Sequence, residues 1–231
     1  MKKAAKFLGW IAAAALALFL AVQLSFFLRL WWWRDHDPQA TAFMNERLAA
    51  MRKKDPRATL QHRWVPYDRI SGNLKRAIVV AEDSRFVDHE GFDWEAIEKA
   101  REKNQKNGKV VAGGSTISQQ LAKNLFLSPS RTPWRKGQEA LITVMMEHLM
   151  DKRRILEIYL NVIEWGDGIF GAEAAAHHYY NVGAANLGAE AAARLAAIVP
   201  DPRRYDHQRS SAFISRKTQT ILARMPQAEL P

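Results

Sequence analysis

The stretch GGSTISQQLAKNLFL, residues 113–127, decides the fold around it. Two glycines precede a Ser-Thr pair, and Thr116 stands three residues before Gln119, which is the spacing of a capping box at a helix start. The apolar residues that follow recur every four positions, as on one buried face of a helix: Ile117, Leu121 and Leu125. The stretch therefore predicts a helix that begins after Thr116 and packs on a core.

A second face of this predicted helix is polar and cationic. It carries Thr116, Gln120, Lys123 and Asn124. Free N–H groups at a helix start attract anions, glycines let a ligand approach the backbone, and a lysine adds a full positive charge. The sequence therefore predicts a phosphate-binding site here, although a capped surface helix with an ordinary lysine fits this stretch equally well.

Three further blocks accompany this stretch, and together they resemble a known family. The blocks are EDSRFVDHEG from Glu82, RKGQEA from Arg135 and DKRRILEIYLN from Asp151, and GDGIFGAEAAAHHYYN after them is similar too. In residues 74–225 the chain resembles the family 51 glycosyltransferases, the peptidoglycan glycosyltransferases that polymerise lipid II. The resemblance is to the monofunctional members, which lack a transpeptidase domain, and it implies a mainly α, lysozyme-like glycosyltransferase domain.

The resemblance assigns two essential carboxylates. Glu82 matches the family's general base, which takes the proton of the acceptor sugar's 4-hydroxyl, and Glu139 matches the second carboxylate. Glu82 follows an apolar run, so burial and the neighbouring Asp83 are expected to raise its pKa. The residues expected to bind substrate are Asp83, Phe86, His89, Gly114, Ser115, Thr116, Gln119, Gln120, Lys123, Asn124, Arg131, Arg135 and Lys136. Phe86 and His89 are expected to shape the site.

The implied reaction inverts the donor sugar's anomeric centre and releases undecaprenyl diphosphate. The cationic side chains are expected to stabilise the charge that develops on the leaving pyrophosphate. A divalent cation, Mg²⁺ or Mn²⁺, could share that task, so Glu139 either holds such an ion or orients the cations. The residues do not identify a metal site, and no organic cofactor is expected.

Two other functions remain compatible with the residues. A lytic muramidase also pairs carboxylates in a lysozyme-like cleft, but it has no need of the Gly-Gly-Ser-Thr and lysine groups that suit a phosphate. A catalytically silent membrane scaffold for cell-wall enzymes would need neither Glu82 nor Glu139.

The amino terminus carries a candidate membrane span. Residues 7–28 are 22 consecutive uncharged positions, roughly 33 Å of helix and enough to cross a bilayer. A cleaved signal peptide is the alternative, although signal-peptide apolar cores are shorter. The lysines before the span place the amino terminus in the cytoplasm and the catalytic domain on the periplasmic face of the inner membrane: Lys2, Lys3 and Lys6. The tryptophans at 31–33 suit the outer interface.

The remaining organisation follows from composition. We expect a cytoplasmic amino terminus and anchor over 1–34, a juxtamembrane connector over 35–70 and the glycosyltransferase domain over 71–231. The net charge of +10 includes five charges around the span, and no nucleic-acid motif occurs. The expected partners are lipid II, growing lipid-linked glycan, the membrane and other cell-wall synthesis proteins. Residues 101–109 are expected to form an exposed, flexible loop. Apart from the helices, we expect at most a short β-hairpin.

Overall fold

The computed structural model describes residues 2–109, 111, 113–130, 132–208 and 211–231. Within these residues the chain is mainly α, which confirms the predicted fold class. The helices are α1 (Lys2–Trp33), α2 (Ala42–Arg52), α3 (Gly72–Glu82), α4 (Trp94–Asn107), α5 (Ile117–Phe126), α6 (Pro133–Leu149), α7 (Lys152–Val162), α8 (Ala172–Tyr180), α9 (Ala189–Ile198), α10 (Pro202–His207) and α11 (Ala212–Arg224). Short 3₁₀ turns occur at Tyr67–Arg69, Ala184–Asn186 and Met225–Gln227.

A small sheet accompanies the helices. Its strands are β1 (Gln61–His62), β2 (Glu164–Gly166) and β3 (Ile169–Phe170). β3 lies in the middle, antiparallel to β2 and parallel to β1. The β2–β3 pair is the expected short hairpin. Strand β1, from the segment 35–70, pairs with β3.

The helix predicted from the central stretch forms as expected. Thr116 Oγ1 accepts the Gln119 N–H at 3.2 Å, and Gln119 Oε1 accepts the Thr116 N–H at 3.1 Å, which completes the capping box. Ile117, Leu121 and Leu125 are buried. These contacts are local, and they fix where α5 begins.

The helices form two groups around the core. In one group α9 packs on α3 and α11, and in the other α5 packs on α6 and α7. The segment 35–70 joins this body, because Met44, Tyr67 and Ile70 are buried in the same core. The site described below lies where the end of α3 meets α5 and α11.

The expected loop over residues 101–109 is largely wrong, because α4 continues to Asn107. Arg, Glu, Lys and Gln are good helix formers, and this stretch contains neither proline nor glycine before Gly108. Gly108 then ends the helix in the left-handed conformation, with φ +62°. The polarity of the stretch reflects an exposed helix face.

The amino-terminal helix α1 contains a segment, Ala5–Trp33, whose length and composition suit a membrane span, and an 18-residue window within it has a mean hydropathy of 2.4. Its first half is exposed, whereas its second half contacts α6. The anchor is therefore packed against the catalytic body over part of its length.

The turn at Gly91, which ends the block EDSRFVDHEG, is hydrogen-bonded to the residue that caps α5. Its carbonyl accepts the Thr116 hydroxyl at 2.7 Å, and its N–H donates to His89 Nδ1 at 3.1 Å. Gly91 has φ +87°, and a Cβ there would lie 2.7 Å from Thr143 Cγ2. Only glycine suits both the conformation and the space.

We expect Gly91→Ala to destabilise the protein by about 2–5 kcal/mol, because it adds left-handed strain and overpacking. Gly108→Ala is the matched control, since Gly108 also has positive φ but a Cβ there would meet nothing within 4 Å. It should cost only about 1–2 kcal/mol. Thermal unfolding of both variants in detergent measures the difference, and equal losses would contradict the crowding argument.

Candidate active site

Glu82 is the last residue of α3, and its carboxylate lies against α5. Gln120 Nε2 donates to Glu82 Oε2 at 2.9 Å. Burial raises the pKa of Glu82, and the charge of Asp83 acts in the same direction. The negative end of the α3 dipole also disfavours an ionised carboxylate at this position. Glu82 is thus a carboxylate whose environment makes it a stronger base, as the sequence predicted.

Lys217 of α11 is a second charged group beside Glu82, and the sequence analysis did not identify it. Burial lowers the pKa of Lys217, and the charge of Glu82 acts in the opposite direction. Lys217 in turn opposes the rise in the pKa of Glu82. No local signal marks this lysine, because it lies in an ordinary amphipathic helix far along the chain.

A hydrogen-bonded chain orients Gln120 toward Glu82. The buried Tyr159 hydroxyl donates to Gln120 Oε1 at 2.9 Å, so the amide NH₂ group faces the carboxylate. Asn124 Nδ2 donates to the backbone carbonyl of Gln120 at 2.9 Å. Tyr159 lies on the buried face of α7, and its hydroxyl positions a residue that contacts Glu82.

Asp83 points away from Glu82 and caps α5. Its carboxylate accepts the Ile117 N–H at 3.0 Å and lies 3.0 Å from His89 Nε2. Because His89 Nδ1 accepts the Gly91 N–H, Nε2 carries the proton and donates to Asp83. His89 is therefore a hydrogen-bonding support in this structure.

This arrangement limits the predicted phosphate site, because three of the N–H groups at the start of α5 are already bonded. The Thr116 and Gln119 N–H groups close the capping box, and the Ile117 N–H binds Asp83. Asp83 supplies the negative charge that a helix N-terminus favours. The Thr116, Ile117 and Gln119 N–H groups are therefore not free for a phosphate.

Glu139 lies at the centre of a cationic cluster on α6. It is 3% exposed, and its two oxygens accept hydrogen bonds from Arg135 and Lys136. Lys136 Nζ also reaches Ser115 Oγ at 3.4 Å. Two cations around one carboxylate leave a net positive charge beside the Gly114–Ser115 turn, which suits an anionic ligand.

Lys123 of α5 stands between the two carboxylates. Burial lowers the pKa of Lys123, while the charges of Glu139 and Glu82 act in the opposite direction. Among the described residues, no acceptor forms a hydrogen bond with its ammonium group. Lys123 is thus a partly buried cation with donors free for a ligand.

Three cavities lie around the end of α3 and the start of α5. One, of about 650 Å³, lies between α4 and the glycine turn, and its lining includes Gly114, Ser115, Gln119 and Lys136. A cavity of about 150 Å³ is lined by Glu82, Asp83, Thr116 and the same turn. A third, of about 190 Å³, is lined by Gln120, Lys123 and Asn124 together with Tyr159. Glu82 therefore borders a cavity that shares the Gly114–Ser115 turn with the cavity beside Lys136, and its hydrogen bond to Gln120 links it to the third cavity.

Among the expected binding residues that the structure describes, Phe86, His89 and Arg135 do not line these three cavities. Phe86 is 0% exposed, and Lys152 Nζ lies over its ring, 4.7 Å from the ring centroid. In this structure Phe86 therefore supports the site from within the core. Arg131 lies outside the described residues, and its role stays a prediction.

The described residues do not fit a protein-held metal site. No group of three His, Asp or Glu side chains among them is arranged to hold an ion, and both oxygens of Glu139 already bind cations. The contacts of Glu139 therefore favour the second predicted role, orienting the cations. The expected divalent cation stays a prediction.

Comparison with known proteins agrees with this geometry. The sequence model described as Transglycosylase matches residues 47–226. A curated protein of Janthinobacterium sp. (strain Marseille), named "Biosynthetic peptidoglycan transglycosylase", is 59% identical over 231 residues, which is 100% of both chains. A protein of the same name from Chromobacterium violaceum is 61% identical over 221 residues, covering 96% of this chain and 97% of its own. The chain therefore belongs to the transglycosylase family, and it is a glycosyltransferase of peptidoglycan synthesis.

Proposed function

We propose that this protein polymerises lipid II into glycan strands, with inversion at the donor sugar and release of undecaprenyl diphosphate. The observation that carries the proposal is that Glu82, a partly buried base, lines a cavity that shares the Gly114–Ser115 turn with the cavity bordered by Lys136 of the Glu139 cluster. Glycosyl transfer from a lipid pyrophosphate needs both a base for the acceptor and positive charge for the leaving group.

In the proposed reaction Glu82 takes the proton from the 4-hydroxyl of the acceptor's N-acetylglucosamine. That oxygen attacks the anomeric carbon of the donor's N-acetylmuramic acid from the face opposite the pyrophosphate. The bond to the pyrophosphate breaks, and the leaving group keeps the electron pair. Gln120 holds the Glu82 carboxylate in place while the bond forms.

Side chains of α5, α6 and the glycine turn stabilise the negative charge of the leaving group in this reaction. Lys136 and Ser115 line the large cavity, and Lys123 has donors free for a pyrophosphate. Glu139 keeps Arg135 and Lys136 in fixed positions, so their charge is in place before the bond breaks. We assign the donor to this side and the acceptor's 4-hydroxyl to the cavity lined by Glu82.

We place the catalytic domain on the periplasmic face of the inner membrane, with α1 as its anchor. Lys3 and Lys6 precede the span, which favours a cytoplasmic amino terminus. The exposed first half of α1 supports membrane insertion, because an apolar helix surface of this length is costly in water. A lipid-linked substrate would then reach the site laterally from the bilayer.

The test is to incubate the full-length, detergent-solubilised protein with labelled lipid II and to resolve the products on a gel. A ladder of glycan products is the expected result. Cleavage of purified glycan without polymerisation from lipid II would instead support a lytic muramidase. Absence of both activities would support a catalytically silent scaffold.

We expect Lys217→Met to move the acid limb of the pH profile for kcat/KM to higher pH. Lys217 opposes the rise in the pKa of Glu82, so losing its charge raises that pKa further. Glu82 acts as a base only when ionised, and more alkaline conditions are then needed for the same activity. Arg216→Met removes an exposed charge from the same helix and should leave the limb unchanged. An unmoved limb in Lys217→Met would contradict the coupling.

A further inference from the structure

A buried hydrogen bond joins the membrane anchor to the catalytic domain. Gln23 Nε2 of α1 donates to Gln138 Oε1 of α6 at 2.8 Å, and each side chain is 8% exposed. Gln23 lies inside the candidate span Ala5–Trp33. A polar side chain in a membrane span is costly, and such residues generally serve a function.

The amide belongs to a stripe along the second half of α1 that faces the catalytic domain. Counted with Gln23, its members follow one another at spacings of four, three, four and three residues. The other members are each buried or partly buried: Phe19, Phe26, Leu30 and Trp33. The Phe19 and Trp134 rings lie 6.1 Å apart between centroids, and the Phe26 and Phe126 rings lie 4.9 Å apart. Helix α1 therefore has a fixed face toward α6 and the end of α5.

Water is a poor competitor for this hydrogen bond. Residues 7–18 are the uncharged part of α1 in which every position is exposed, and these 12 positions give only about 18 Å of helix. A hydrocarbon core is about 30 Å thick, so part of the contact between α1 and α6 lies within it. In that setting a broken amide pair leaves polar groups without water to replace the partner.

Gln138 connects the anchor to the cationic cluster through α6 itself. It directly precedes Glu139 and follows Arg135 by one turn, so a rotation of α6 moves all three side chains together. Arg135 and Glu139 are ion-paired on the face toward the active site, while Gln138 faces α1. The position of the cluster thus depends on the contact with α1.

We propose that Gln23 is a positioning residue for glycosyl transfer, which holds α6 in the rotation that aims the Glu139 cluster at the leaving group. The proposal rests on the proposed role of that cluster. The anchor then has two functions, because it retains the enzyme at its lipid substrate and forms part of the support of the active site.

The test compares Gln23→Met, Gln138→Met and the double variant in the full-length protein reconstituted in liposomes with lipid II. Methionine keeps the side-chain length and removes the hydrogen bond. Each single variant should lower kcat roughly 3- to 15-fold, the range expected for losing one interhelical hydrogen bond in a membrane. KM for lipid II should stay within about twofold, because an interaction that acts on the transition state affects kcat.

The double variant should be no slower than the slower single variant, because both substitutions remove the same bond. Leu24→Met and Ser25→Ala change exposed neighbours on α1 and should behave as wild type. If Gln23→Met is too unstable to assay, Gln138→Met removes the bond from the other side.

Three results would overturn the proposal: wild-type kcat in either single variant, losses that multiply in the double variant, or a raised KM with unchanged kcat. The wild-type ladder in the same assay tests the proposed function separately. Failure of the Gln23 proposal therefore leaves a distinct result from failure of polymerisation.

Discussion

Glu82→Gln should abolish glycan polymerisation and leave the protein folded. Glutamine keeps the shape of the side chain and can still accept the hydrogen bond from Gln120, but it cannot take a proton from the acceptor hydroxyl. Loss of a general base costs roughly 10²–10⁴ in rate, so the gel assay should show no ladder on the wild-type time scale.

The stability of this variant should also respond to pH in a defined direction. Burial raises the pKa of Glu82 above its value in the unfolded chain. The ionised carboxylate therefore costs the folded state stability at neutral pH, and this cost disappears as pH falls below the unfolded-state pKa. Glu82→Gln should unfold at the wild-type temperature or above it at pH 7, with a smaller difference in acid.

Glu98→Gln, at an exposed carboxylate of α4, is the control for both measurements and should keep activity and stability. A Glu82→Gln protein that still made glycan at a wild-type rate would remove Glu82 from the role of base. A cooperative unfolding transition shifted well below wild type would mean that the loss of activity comes from misfolding.

Glu139→Gln should lose both activity and stability. The carboxylate is buried between Arg135 and Lys136, so its removal leaves two cations without their partner. Breaking a buried ion pair costs about 3–5 kcal/mol, and we expect about 2–4 kcal/mol here because the Lys136 side chain is 48% exposed and screened by water. That loss corresponds to a decrease in Tm of about 5–15 °C.

The rate should fall by roughly 10²–10³, comparable to removing one preorganised group from a charge-stabilising site. The effect should appear in kcat measured below the lowered Tm, where the variant is folded. Wild-type Tm with reduced kcat would mean that Glu139 contacts substrate without organising the cations. Full activity would remove the cluster from the mechanism.

The two glutamine variants thus separate the two carboxylates. Burial disfavours the charge of Glu82 despite the nearby Lys217, whereas Glu139 is held by cations that require it. The first variant should cost activity alone, and the second should cost activity and stability together. The same chemical change therefore reports two different environments.

The sequence by itself determined the features that depend on neighbours along the chain. The Thr116–Gln119 spacing gave the start of α5, and the periodicity of Ile117, Leu121 and Leu125 gave its buried face. The family blocks indicated the reaction class, and they led to the prediction that Glu82 and Glu139 are the essential carboxylates. Such signals survive in a single sequence because they are carried by local spacing.

The tertiary structure decided which groups surround those carboxylates. Lys217 lies beside Glu82, Tyr159 orients Gln120, and Asp83 takes the N-terminus of α5 that the sequence had assigned to a phosphate. The hydrogen bond between Gln23 and Gln138 belongs to the same class. Each joins residues from separate helices, and the packing of α3, α5, α6 and α11 brings them together, so no spacing along the chain encodes these contacts.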